Sequence, residues 1–197
     1  MISRPMQITI FLLLIGVLAG GIYMNHIEQR ELRDQPRAAG TPLAPPVAGR
    51  TEDVELMIAY DEDGVLKKEP FNLSLSQEPH TRAKQVLQAL INDYAQRPSP
   101  HPLAEGANVK DVFVAEGGLF VVDLNGAFAD GHRSGVMVEE MTIASMVESL
   151  AMNVPGVKRV KFLVDGKERE TLAGHADLGM IYDVPAVHQL IAGLQVQ

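Results

Sequence analysis

Three groups of residues carry types that could do chemistry: six histidines, an acidic tetrapeptide, and one loop that holds Asp, His and Ser together. The histidines are His26, His80, His101, His132, His175 and His188. No two stand four apart and no HExxH or HxH spacing occurs, so a zinc hydrolase has no support. Most of them fall in expected loops or at helix starts, where solvated polar side chains are the ordinary occupants. Asp61-Glu62-Asp63-Gly64 has the flavour of a calcium loop, but it misses the D-x-[DN]-x-[DN]-G register and lacks the following Glu, which leaves a solvated turn. Asp130-Gly131-His132-Arg133-Ser134-Gly135 invites comparison with a catalytic triad. Triad members normally arrive from separate elements, and no G-x-S-x-G elbow is present, so Ser134 is expected to cap a helix while Gly131 and Gly135 turn the chain. No G-x-G-x-x-G or Walker sequence occurs, and no cofactor or metal is expected.

The chain of 197 residues contains no cysteine, which removes disulfides, thiolate metal sites and thiol nucleophiles from consideration. Its 17 Lys and Arg against 25 Asp and Glu give a net charge of −8, too acidic for a protein that grips nucleic acid through phosphates. One carboxylate stands out. Glu139 shares a helical stripe with Ile143, Met146 and Leu150, and an inward carboxylate costs several kcal/mol unless it is paired. Two readings follow. It accepts backbone N–H groups near the helix N-terminus, for instance from the Gly131–Gly135 loop, or it serves as an acid, base or partner contact. An enzyme reading would combine it with Asp123 and Asp130, in a cleft where two acids face each other.

The elements that would position these residues begin with a tether. Arg4 precedes an uncharged run from Ile8 to Met24, long enough to span about 26 Å as a helix. With Pro5 to Gln7 and Asn25 at the interfaces, this reads as a transmembrane anchor for residues 8–24. The positive flank assigns residues 1–7 to the cytoplasm and the remainder to the outside, in the periplasm or on the cell-wall side of the inner membrane. A cleaved signal peptide is the competing reading, with Leu18-Ala19-Gly20-Gly21 as weak small-residue positions. Gly21 stands where a lipoprotein would carry its lipidated cysteine. Residues 25–53 form a Pro/Ala-rich linker (Pro36, Pro42, Pro45, Pro46) that stays extended and reaches at most about 80 Å.

Beyond the linker, Val54 to Tyr60 alternate as a strand ending at the acidic turn, and Leu66 to Leu75 form a weaker second strand. A helix from Pro79–Thr81 presents Ala83, Val86, Leu87, Leu90 and Tyr94 at helical spacing. Val109–Ala115 and Leu119–Leu124 flank Glu116-Gly117-Gly118 as a hairpin. A second helix covers Gly135 to Asn153 and stops at Pro155-Gly156. A strand over Val157–Val164 closes on Asp165-Gly166, a turn that would return the chain through Lys167 to Leu172. The order β-β-α-β-β-α-β predicts an α+β, two-layer domain, with two helices on one face of a small mixed sheet. The tail, 179–197, carries a short amphipathic helix over Pro185–Leu194.

From Leu103 onward the chain resembles the GerM-type (GerMN) sporulation and spore germination domain. The matching positions are Val122-Asp123-Leu124, Glu139 or Glu140, Ser149-Leu150, Pro155-Gly156-Val157, Val160 and Val164-Asp165-Gly166, within a span of about 54–178. Asn125 and Ser149 replace the usual Ser and Thr, and there is one domain copy. Asp123, Glu139, Pro155, Gly156, Asp165 and Gly166 are turn and core positions, which are structural or partner-binding. The resemblance implies a ring-module-like domain with a binding or assembly role and no catalysis. The expected partners are the membrane, another envelope protein and further copies of the chain, joined through an exposed strand edge. An envelope enzyme and a small-ligand sensor remain as alternatives, the sensor needing an apolar pocket closed by helices.

Overall fold

A computed structural model describes residues 50–194, all within the second of two compact units, Ala48–Gln197. The expected cytoplasmic stretch, anchor and nearly all of the linker lie outside the described residues. Among the described residues, no helix is long and apolar enough to cross a membrane.

The chain folds as β1 (Arg50–Tyr60), β2 (Val65–Leu75), α1 (Pro79–Ala95), β3 (Val109–Ala115), β4 (Leu119–Leu124), α2 (Gly126–Asp130), α3 (Val136–Asn153), β5 (Arg159–Val164), β6 (Ile181–Asp183) and α4 (Val184–Leu194). Strand β1 begins at Arg50, so residues 50–53 of the expected linker are strand. The Asp61–Gly64 turn joins β1 to β2 in an antiparallel hairpin whose register runs from Arg50 opposite Leu75 to Tyr60 opposite Val65. A second sheet has the order β3-β4-β5-β6, with β4 and β5 parallel and both outer pairs antiparallel. The parallel pair requires a crossover, and α2 with α3 supplies it.

The architecture is α+β with small mixed sheets, but the single sheet expected from the sequence is two. The reason lies at the free edge of β1. Ser149 Oγ accepts the Met57 N–H at 2.9 Å, and the Tyr94 hydroxyl accepts the Ala59 N–H at 2.8 Å. Asn153 Nδ2 donates to the Glu55 carbonyl at 2.7 Å. Side chains of α1 and α3 thus occupy the groups that a neighbouring strand would have used, and the hairpin cannot join the larger sheet. The same arrangement blunts an aggregation-prone edge, a task that proteins commonly give to a covering helix. Leu56 through Ala59 are all buried, on both faces of the strand, where the alternating sequence pattern predicted one. Tyr94→Phe is expected to cost about 1–2 kcal/mol in urea denaturation and to speed hydrogen exchange at the Ala59 amide, because it orphans a buried N–H.

Helix α3 is the centre of the domain. Ten consecutive residues, Met141 to Leu150, are buried. The apolar stripe predicted on one face is therefore a helix covered all round, by β1, α1 and α4. Ala144, Ser145 and Ser149 keep its girth small enough for that. Facing it, β4 buries Phe120, Val122 and Leu124, and β5 buries Val160, Phe162 and Val164, the alternation of strands with one face on the core. After Asp165-Gly166 the expected returning strand shrinks to one bridge, Val164 to Lys167. The chain instead loops to β6, and α4 packs back on α3 through Val187 and Ile191.

Candidate functional site

The N-terminal half of α3 gathers two clusters of buried polar groups, around Glu139 and Thr142. Glu139 is fully buried. Its Oε2 accepts the N–H groups of Ala173, His175 and Ala176, each at 2.9 Å. Its Oε1 accepts the Gly135 N–H at 3.1 Å and faces His175 Nδ1 at 2.8 Å. A loop therefore wraps the carboxylate, closed below by Leu172 N–H to the Ala176 carbonyl and Leu178 N–H to the Glu170 carbonyl, both 2.9 Å. Burial alone would raise the Glu139 pKa. The His175 ring and the N–H groups of Ala173, Ala176 and Gly135 outweigh it and hold the carboxyl down to about 2. Of the two sequence readings, the geometry matches the backbone-accepting one, with most donors coming from a loop 34 to 37 positions away. The helix is capped by Gly135, without a side-chain cap. Ser134 does not cap it; its Oγ lies 3.4 Å from His175 Nδ1, and the Glu139 carboxylate takes the Gly135 N–H in its place.

One turn along the same helix, Thr142 Oγ1 lies 2.7 Å from His101 Nε2 and 2.8 Å from His132 Nε2. Both rings are buried, contrary to the solvated positions expected for them. His101 Nδ1 meets Asp61 Oδ1 at 2.5 Å, and His132 Nδ1 meets the Arg133 carbonyl at 2.7 Å. Both partners are acceptors, so both Nδ1 atoms carry hydrogen. Asp61 is likewise not a solvated turn residue: its side chain is 8% exposed and its second oxygen accepts from Arg133 at 2.7 Å. Burial lowers the pKa of His101, with Asp61 opposing and Arg133 assisting. Burial also lowers that of His132. The folded domain thus favours neutral rings. Their contribution to stability is complete above about pH 6.5 and declines as the pH falls below it, because the unfolded chain takes up protons first. Urea denaturation between about pH 8 and pH 5 is expected to show that decline, and His101→Gln to flatten it.

The remaining motif positions sit elsewhere, at turns or, for Asp123 on β4, bonded to one. Asp123 Oδ1 accepts the Gly166 N–H at 2.7 Å and ties β4 to the tight turn after β5. In that turn Asp165 (φ 51°) and Gly166 (φ 71°) are both left-handed, as a two-residue hairpin turn demands. Pro155 and Gly156 lead out of α3, and an atom added at Gly118 would lie 2.5 Å from the Gly156 carbonyl oxygen, so two turns close on each other there. Asp130 is exposed and pairs with Arg169 at 2.6 Å. Asp123, Asp130 and Glu139 therefore occupy three separate hydrogen-bonded settings and share no cleft. Asp130, His132 and Ser134 likewise point to different partners. Among the described residues, no group of three or more His, Asp or Glu is placed to hold a metal ion.

Beside the Glu139 loop runs a groove of about 360 Å³, bounded by α3, β6 and α4. Ile143, Ala144, Val187 and Leu190 form its apolar floor and wall. Sequence reasoning missed this site and the Thr142 cluster. The available signal was the mixture of Thr142, Ser145, Glu148 and Ser149 within an otherwise apolar helix, which implies burial on every side with polar partners.

The fold is shared with known proteins. Tandem GerMN domains of the sporulation protein GerM from Bacillus subtilis align with a TM-score of 0.50 and 19% identity, over 64% of this chain and 44% of that one. This chain thus spans less than half of the tandem structure. The first GerMN domain alone gives 0.48 and 18%, over 64% and 92%. A candidate lipoprotein from Clostridium perfringens gives 0.47 and 16%, over 72% and 92%. No curated protein matches in sequence. The family profile named Germane, sporulation and spore germination, matches residues 58–170, from β1 through the Asp165-Gly166 turn. That span exceeds half of the chain and contains all six motif positions, and so the protein belongs to the Germane family.

Proposed function

We propose that this protein is a non-enzymatic envelope component, tethered to the inner membrane by residues 8–24, whose exported domain binds or assembles with other envelope proteins. The observation that carries the binding reading is a surface one. Of seven exposed large apolar residues among those described, Met180, Ile181 and Leu190 line the groove, and Val136 and Met137 stand one helical turn from its Glu140 wall. Exposed apolar residues scattered singly need no explanation, whereas a gathered set marks an interaction surface. The sequence supports the tether through its uncharged run and proline-rich spacer, which hold the domain clear of the bilayer. Family membership adds a sporulation or germination setting in which such modules are found.

Two measurements test the reading. Alkaline extraction of membranes should leave the full chain in the pellet and release it once residues 8–24 are deleted. A photo-reactive residue at Met180 should cross-link to a discrete neighbour in native membranes, while the same residue at Asn92, on the outer side of α1, should not. Release of the intact chain sinks the anchor. Absence of any neighbour at Met180 sinks the binding role. Light scattering of the full chain across a concentration series tests whether the partner is another copy.

A further inference from the structure

We infer that the groove between α3, β6 and α4 receives a basic amphipathic segment of a partner protein, with apolar side chains on its floor and Lys or Arg against its acidic wall. This deepens the binding role proposed above and rests on it. The apolar component is Ile143, Ala144, Val187 and Leu190 below, with Met180 and Ile181 at the lip.

The charge component is one-sided. Glu140, Asp177 and Asp183 line the groove, and no Lys or Arg does. The nearby cations are engaged elsewhere. Lys161 Nζ donates to the Leu178 and Gly179 carbonyls at 3.0 and 2.5 Å and lies 3.4 Å from Glu168. The His175 ring is held by Glu139. Arg159 stands opposite Asp183 in the β5–β6 register and lines a neighbouring depression that shares Asp183 and Ala186 with the groove, so the groove's unshared acids are Glu140 and Asp177. Glu140 and Asp177 converge on Tyr182, whose hydroxyl donates to the Asp177 carbonyl at 2.6 Å. Burial first, then these two carboxylates, push that hydroxyl up to about 12. An aromatic ring beside two carboxylates and an apolar floor fits the stem and head of a long basic side chain. Asp177 Oδ1 accepts the Gly179 N–H at 2.7 Å, but an acidic or purely apolar segment would still desolvate the carboxylates without supplying a counter-charge.

The lack of cysteine allows one environment-sensitive dye per molecule. The full chain in nanodiscs of zwitterionic phosphatidylcholine would carry the dye at Gln189→Cys, next to the groove, or at Asn92→Cys as a remote control. The probes are an amphipathic helical peptide of leucine and lysine, and its counterpart of leucine and glutamate. Saturable binding of the lysine peptide is expected at the Gln189 dye and not at the Asn92 dye, with the glutamate peptide at least about tenfold weaker. Glu140→Lys, at an exposed helix position, should weaken the lysine peptide several-fold, and Glu140→Lys with Asp177→Lys should invert the preference. Equal affinity for the two peptides overturns the proposal, and so does an equal response at both dyes. No saturable binding overturns it as well. A dye response that grows with protein concentration alone assigns the groove to a second copy and also overturns it. If the groove ignores both peptides while Met180 still cross-links in native membranes, the general binding role survives and this proposal does not.

Discussion

Glu139→Gln is expected to destabilise the domain by about 3 kcal/mol at neutral pH and by less than about 1 kcal/mol near pH 2. The carboxylate accepts from four backbone N–H groups and faces one imidazole nitrogen, all in a fully buried setting. An amide keeps one oxygen for the three loop N–H groups and turns an N–H₂ toward the Gly135 N–H and the His175 ring. A buried donor thus loses its acceptor at a cost of about 1–3 kcal/mol, and the remaining bonds lose the charge that strengthened them. The pH behaviour follows from the depressed pKa. A carboxyl at about 2 in the folded domain and 4.5 otherwise contributes stability that is complete above pH 4.5 and disappears as the pH falls through 2. Protonated Glu and Gln then become near equivalents. Urea denaturation of both proteins at neutral and strongly acid pH checks the claim. A variant difference that persists at pH 2 would show that lost shape, not lost charge, is responsible.

Thr142→Val is the second large effect, about 2–4 kcal/mol at neutral pH, whereas Thr142→Ser should lose only about 1 kcal/mol for its methyl group. The effect comes down to a count of protons. With both Nδ1 atoms committed to acceptors, two neutral rings present two Nε2 lone pairs to one hydroxyl. That hydroxyl also lies 2.8 Å from the Val138 carbonyl. Thr142 has a single hydrogen for three acceptors. One proton added to either ring completes the chain from imidazolium through hydroxyl to imidazole, so the cluster takes up a proton more readily than two isolated buried rings. Valine removes the acceptor that the charged form needs. Histidine proton resonances followed through a pH titration should therefore show both rings titrating at lower pH in Thr142→Val than in the parent. Unchanged titration midpoints would refute the shared-hydroxyl account.

The legible part of this protein was the part written in local sequence. Asp165-Gly166 encodes its own left-handed turn, Glu116-Gly117-Gly118 its hairpin, and Pro79 its helix start, because each depends on backbone preferences of a few adjacent residues. Long-range partnerships were not legible. Nothing around Met57 announces that its N–H will bond Ser149, 92 positions away, yet that bond and its neighbours decide whether there is one sheet or two. His101 and Asp61 read as loop and turn residues because exposure is the usual condition of such positions. Their pairing across 40 positions is what buries them. Glu139 was visible as an anomaly, an acid on an apolar stripe, while its donors lay in a segment whose composition says little.

The clasp around Glu139 also sets an order of events during synthesis. A chain emerges from its N-terminus, and residues 136–153 are complete well before residues 173–176 exist. Until then the central helix carries a bare carboxylate toward what will become its most buried side. The span matched by the family profile ends at residue 170, three positions short of the first donor in that loop. A fragment cut at that boundary keeps every strand through β5 and both long helices, yet retains only the Gly135 N–H for Glu139. The loop over residues 173–176 therefore completes the fold: until it has arrived, the central helix lacks three of the four backbone donors that its buried carboxylate takes in the full domain.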